Sequence, residues 1–145
     1  MPATVLQFGC TPATLSTPNK TDPDSPAQED SMQIHYLEIV TTDVDAVCRT
    51  YAQIHGVTFR DADEHLGGAR TAILAGGGML GVRPPLRDTE TPVVRPYILV
   101  SDIQAAVDTA AESGAEVALP PMELPGHGTC AIVIHGGIES GLWQI

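Results

Sequence analysis

Beyond residue 31 the apolar positions fall into two alternating periods. IHYLEIV, from Ile34, and PYILV, from Pro96, are short β-rich runs, and each is followed by an aspartate and then by apolar residues at helical spacing. Val44, Val47, Tyr51 and Ile54 share one face of the first predicted helix; Ile103, Ala106, Val107, Ala110 and Ala111 share one face of the second. Asp43 and Asp102 stand at N-cap positions, where a carboxylate accepts hydrogen bonds from the N–H groups that a first helical turn leaves free. Gly56 and Gly114 follow the last periodic residues, where a helix closes in the left-handed conformation, and the runs VTF and AEVAL then return the chain to a sheet. Glycine-rich turns at residues 76–78 and 135–137 predict a closing hairpin in each half.

The two halves are copies in pattern. Asp43 matches Asp102, Gly56 matches Gly114, and AILAGGGM from Ala72 lines up with AIVIHGGI from Ala131, all at offsets of 58 or 59 residues. The predicted order is therefore βαβββ twice, an α+β chain with units over residues 32–90 and 91–145. Residues 1–31 differ in kind: they are dense in Pro, Ser, Thr and Asp and hold too few bulky apolar groups to offset ordering entropy, so a flexible leader is expected. Within it, TVLQF at residues 4–8 has the composition of a strand that docks on a sheet edge.

Composition narrows the partners. Eighteen acidic against seven basic residues give a formal net charge of -11, which repels phosphate backbones and anionic lipid, so neither nucleic acid nor a membrane surface is expected as partner. No apolar run approaches the roughly 20 residues of a bilayer span, and the start MPATVLQFGC lacks a secretory pattern, so a cytoplasmic protein is expected. Cys10, Cys48 and Cys130 form neither a CxxC pair nor an even disulfide framework and read as reduced thiols, Cys48 and Cys130 as packing residues. Phosphate-binding loops, nucleophile elbows and HExxH helices are absent from the sequence.

With the repeat in place, the stretches TTDVDAVCRTYAQIHGVTF, LVSDIQAAVDTAAESGAEVALPPMELPGHG and GGIESGLWQ resemble the vicinal-oxygen-chelate superfamily, which includes glyoxalase I, extradiol dioxygenases and bleomycin-resistance proteins. The closest likeness is to its glyoxalase-like "hydroxylase" branch and covers about residues 34–145. The resemblance implies an incomplete mixed β-barrel made by two tandem βαβββ units, helices outside, with a substrate cavity between the units and a homodimeric assembly. It also implies metal ligands, His, Gln or Glu, near the start of the first strand and in the last strand of each unit. Family spacing puts these slots at Leu37, Pro96, Gly81 and Gly141, none of which has ligand atoms in its side chain. No metal and no other cofactor is therefore expected. The nearest displaced candidates are His35, Glu38 and Glu139. Strand parity would face His35 with Leu37 into the cavity and Glu38 away from it, leaving Glu38 and Glu139 as solvated strand residues.

A cavity without metal ligands still has the makings of a small-molecule pocket. The expected lining is His35, Leu37, Tyr97, Leu99 and Trp143, with Tyr97 and Trp143 offering flat faces and one donor each; ordinary core packing accounts for the same residues. Arg70 and Arg83 are candidate holders of an anionic ligand, or else solvated arginines paired with carboxylates. The loop PPMELPGHG, residues 120–128, resembles the segment that overhangs the cavity in relatives, and places His127 as a candidate acid or base or as a turn residue. Beside a regulatory or dimeric interaction module with no ligand of its own, two functions stay open. One is a metal-free protein that binds a small organic molecule, partly aromatic and cationic. The other is an enzyme of the glyoxalase-like lyase or isomerase or dioxygenase type, with displaced metal ligands or with His35 or His127 as catalytic groups.

Overall fold

A computed structural model describes residues 31–145. The expected leader, its docking strand at residues 4–8 and Cys10 lie outside the described residues. The order is β1 (Ile34–Val40), α1 (Val44–His55), a 3-10 turn (Glu64–Leu66), β2 (Arg70–Ile73), β3 (Met79–Arg83), β4 (Val93–Leu99), α2 (Ile103–Glu112), β5 (Glu116–Leu124), β6 (Gly128–His135) and β7 (Ile138–Gln144).

Both predicted caps form. The Asp43 carboxylate accepts from the Ala46 N–H and the Asp102 carboxylate from the Ala105 N–H, and α1 ends on Gly56 at a φ of 67°. The strands make one seven-stranded mixed sheet in the order β2-β3-β1-β4-β7-β6-β5. Its centre is the antiparallel pair β1–β4, the first strands of the two halves, and each of these has the last strand of its own half beside it in parallel, β3 against β1 and β7 against β4. The sheet does not close, since β2 and β5 are its edges. This is the expected α+β architecture.

The halves differ in one element. The second unit has the full βαβββ order, but in the first the run after Gly56 forms no regular strand; its Arg60 N–H donates to Thr71 (2.8 Å), its Asp63 N–H to Ala69 (2.9 Å), and Phe59 packs against Ile39, Leu80 and Val82. The cause is local. RDADEH has no alternating apolar positions, and the Asp63 side chain accepts instead from the His65 N–H to start the 3-10 turn.

The helices cover one face of the sheet. Leu37, Ile39, Leu80 and Val82 pack against Val44, Val47, Cys48 and Tyr51 of α1, while Ile54, expected on that face, points into solvent at 68% exposure. Ile103 and Val107 of α2 pack on Ala131, Val117 and Leu142. On the opposite face lie Tyr36, Tyr97, Cys130 and Trp143 in a separate buried cluster, and this face carries the cavity. No helix among the described residues is long and apolar enough to cross a membrane.

Candidate functional site

The inner-face cavity has a volume of about 500 Å³. Its floor is aromatic: the Tyr36 ring centroid lies 5.2 Å from that of Trp143 and 5.6 Å from that of Tyr97, and Tyr97 meets Trp143 edge to face at 5.7 Å. Two glycines make room for these rings. A Cβ on Gly81 of β3 would run into the Tyr36 ring, and one on Gly141 of β7 into the Tyr97 ring. The predicted empty positions at Gly81 and Gly141 are therefore on the cavity side, filled by tyrosines from the neighbouring strands. The Trp143 indole N–H donates to the His127 carbonyl at 3.0 Å. The Tyr36 hydroxyl is buried and has no hydrogen-bond partner among the described residues.

Beside this floor lies a buried lattice of charge. Glu38 is 5% exposed and takes Arg83 Nε on one oxygen at 2.6 Å; its other oxygen accepts from Arg95 and from the Tyr97 hydroxyl (3.1 Å). Each arginine reaches onward to a more exposed carboxylate. Arg83 makes a bidentate contact with Glu90 (2.7 and 3.1 Å), and Arg95 pairs with Glu139. The strands account for the convergence: Glu38 and Arg95 are directly opposed across the β1–β4 seam, and Arg83 ends the parallel neighbour β3. Burial alone would lower the guanidinium pKa values, but hydrogen bonds and charge from the carboxylates, Glu90 and Glu38 on Arg83, Glu139 and Glu38 on Arg95, carry both above their ordinary value, so both stay charged. Burial, reinforced by the Glu38 charge, raises the Tyr36 and Tyr97 phenols beyond the usual range and pushes the Cys130 thiol up to about 11.

The lining also has an apolar part, Leu119, Met122 and Leu124 from β5 and Ile132 from β6. The 3-10 turn, through His65, Leu66 and Gly67, and the β3–β4 connection, through Leu86, Arg87, Thr89 and Glu90, complete the lining.

Several sequence expectations need correction. Leu37 faces α1, and Tyr36 and Glu38 face the cavity, the reverse of the predicted parity, so Glu38 is a buried ion-pair residue and no solvated one. The count back from Asp43 is thus one residue out of phase with the strand, and the pairing of β1 with β4 also shifts between Ile34 and Tyr36, so the alternation does not extend to His35. His35 packs its ring 5.4 Å from Trp143, and burial lowers its pKa, but it is not in the cavity lining. Leu99 packs against the aromatic cluster without lining the cavity. Glu139 keeps partial solvent contact while lining the cavity. Arg70 stands away on β2, where it reaches Asp45 and the Arg60 carbonyl. Tyr97, Trp143 and Arg83 are among the lining residues; Arg95, Tyr36 and Glu90, which also line it, were not anticipated, and the Arg95–Tyr97 alternation on β4 was the signal that could have found Arg95. His127 lies outside the lining and gains the partner that the sequence could not name, with Nε2 2.8 Å from an Asp63 carboxylate oxygen, which ties the loop before β6 to the first unit's turn.

The donor set suits no divalent cation. Among the described residues no group of three or more His, Cys, Asp or Glu side chains is placed to hold a metal ion, and on the strands that would carry ligands the Glu38 oxygens are already taken by two guanidinium groups and a phenol.

No family model and no curated protein matches the sequence. Solved structures do. A hypothetical protein of Bacillus halodurans C-125 superposes with a TM-score of 0.62 at 15% identity, covering 79% of this chain and 95% of the other. Methylmalonyl-CoA epimerase from Mycobacterium tuberculosis gives 0.58 at 17% identity, over 77% and 86% of the two chains. A Streptomyces coelicolor methylmalonyl-CoA epimerase variant in complex with 2-nitronate-propionyl-CoA gives 0.58 at 18%, over 77% and 96%. These likenesses bear out the fold: the chain shares the α+β architecture of these solved structures.

Proposed function

We propose that this chain is a metal-free, cytoplasmic protein of the vicinal-oxygen-chelate fold that binds a small organic molecule in the cavity on the inner face of its sheet. The observation that carries this reading is the replacement of a coordinating set by the Glu38–Arg83–Arg95 lattice. A dication entering there would meet two buried guanidinium charges, and each carboxylate oxygen of Glu38 already has a donor. A cavity of about 500 Å³ with an aromatic floor, one apolar wall and one polar wall has the size and make-up of a small-molecule site.

Binding is favoured over acid–base catalysis by the state of the cavity's own groups. Tyr36, Tyr97 and Cys130 are held protonated by burial, Glu38 is committed to three donors, and His35 and His127 lie outside the lining, which among the histidines only His65 reaches. A general base that removes a proton from a bound carbon acid needs a free lone pair directed at it, and Arg83, Arg95 and Tyr97 already take three of the roughly four lone-pair positions of Glu38. Isomerase activity of the kind named for the structural neighbours is the second reading, favoured only by shared architecture.

Three measurements test the proposal. Metal analysis of purified protein should find no stoichiometric Zn, Ni, Mn or Fe. A ligand panel that includes aromatic and natural-product compounds should raise the melting temperature with at least one member; a flat response across the panel would overturn the binding reading. Turnover of methylglyoxal with glutathione, or epimerisation of methylmalonyl-CoA, with or without added divalent metal, would instead establish an enzyme. The homodimer expected from the resemblance is read by sedimentation in the same preparation.

A further inference from the structure

We propose that the ligand of this cavity carries a carboxylate, which binds the Arg83 guanidinium by displacing Glu90, and that the segment 84–92 is thereby released from the cavity wall. The proposal rests on the small-molecule reading above and names the chemical class that the site takes.

The lattice holds three carboxylates that differ in how they are fixed. Glu38 is on β1 with both oxygens engaged by donors from β3 and β4, and Glu139 is on β7, paired with Arg95. Glu90 alone comes from a connection without regular structure, in which Leu86, Arg87, Asp88, Thr89, Thr91 and Pro92 are all exposed. That carboxylate reaches back to fill the outer fork of Arg83 bidentately and accepts the Leu86 N–H at 2.7 Å. A guanidinium fork is matched to any carboxylate, so an incoming one replaces the Arg83 contacts in kind while Glu90 regains water and the segment regains conformational freedom. Exchange of Glu38 would break three contacts between strands, and exchange at Arg95 would leave the segment where it is.

The remaining walls define the rest of the molecule. Leu86, Leu119, Met122 and Leu124 are apolar, and Trp143 and Tyr97 lie beneath them, so an apolar or aryl body attached to the carboxylate matches the lining. The segment contributes exposed side chains to the lining, and Leu86 packs near Gly67, where a Cβ would be 3.4 Å from a Leu86 methyl.

The test uses three matched probes, 3-phenylpropionate, 3-phenylpropanamide and 3-phenylpropylamine, titrated by calorimetry into the wild type and Glu90→Gln. The carboxylate should bind at least about tenfold more tightly than its amide, and Glu90→Gln, which removes the competing charge but keeps the side chain's shape, should tighten the carboxylate further by about tenfold without a comparable gain for the amine. In the wild type, hydrogen exchange at the Leu86 and Glu90 amides should speed up when 3-phenylpropionate is added, a readout that needs no variant to fold. Tighter binding of the amide or amine than of the carboxylate, or exchange at these amides that slows on addition, overturns the assignment while leaving the small-molecule reading intact. If none of the three binds and the broad panel is also silent, both fall.

Discussion

Glu38 and Arg95 stand directly opposite each other across the antiparallel seam between the two halves, and both are almost fully buried. The pair therefore joins the units through charge as well as through the backbone ladder, and Arg83 shares the same carboxylate from the next strand. A pair of this kind adds little relative to an apolar substitute, but removing one member leaves the others desolvated without compensation. Glu38→Ala should destabilise the fold by about 3–5 kcal/mol in urea denaturation. A loss below about 1 kcal/mol would mean that water reaches the arginines freely.

The unpartnered Tyr36 hydroxyl predicts the opposite sign. It is buried against Gly81 with no acceptor among the described residues, so Tyr36→Phe should raise stability by about 1–2 kcal/mol, the penalty of a desolvated hydroxyl, with the midpoint of urea unfolding as the measure.

Gly81 and Gly141 should resist even a methyl group. In each case the new Cβ meets a tyrosine ring of the aromatic floor, so Gly81→Ala and Gly141→Ala should each lose about 1–3 kcal/mol and blunt the near-ultraviolet circular dichroism of the cluster.

Acid should loosen the tie between the 3-10 turn and the β5–β6 loop. Burial alone would raise the Asp63 pKa, but the His127 hydrogen bond, the His65 backbone N–H and the charge of these histidines bring it below the ordinary value of 3.8. A carboxylate with a lowered folded-state pKa contributes stability that is present above its unfolded value and lost as pH falls through the folded one. Below about pH 4 the wild type should therefore lose stability more steeply than Asp63→Asn, in urea titrations at stepped pH.

Cys130 should be silent towards alkylation. With its thiol pushed up to about 11 by burial and the Glu38 charge, iodoacetamide at pH 8 should leave the Cys130 peptide unmodified in the native state and label it in urea, as read by peptide mass spectrometry.

Much of the fold was legible in the chain. The two aspartate caps, the closing glycines and the matched hairpin turns were local signals repeated at a fixed offset, and each formed where the pattern put it. The first unit's missing strand was legible too, in retrospect, since RDADEH lacks the alternation a ladder needs. The site was harder. Leu37 and Glu38 were assigned to the wrong faces, because the count back from Asp43 through the turn before the helix was one residue out of phase with the strand, and a slip of one exchanges every inward and outward choice.

What the sequence determined by itself was the order of elements and their duplication, because caps, turns and hydrophobic period are properties of neighbouring residues. What only the tertiary structure decided was which charges meet. Glu38, Arg83, Arg95, Glu90 and Glu139 are scattered over β1, β3, β4, β7 and a connection, and none is informative alone. Their meaning arises when the strand order lays β3, β1, β4 and β7 side by side and excludes water from the face they share, so that each charge must find its partner there.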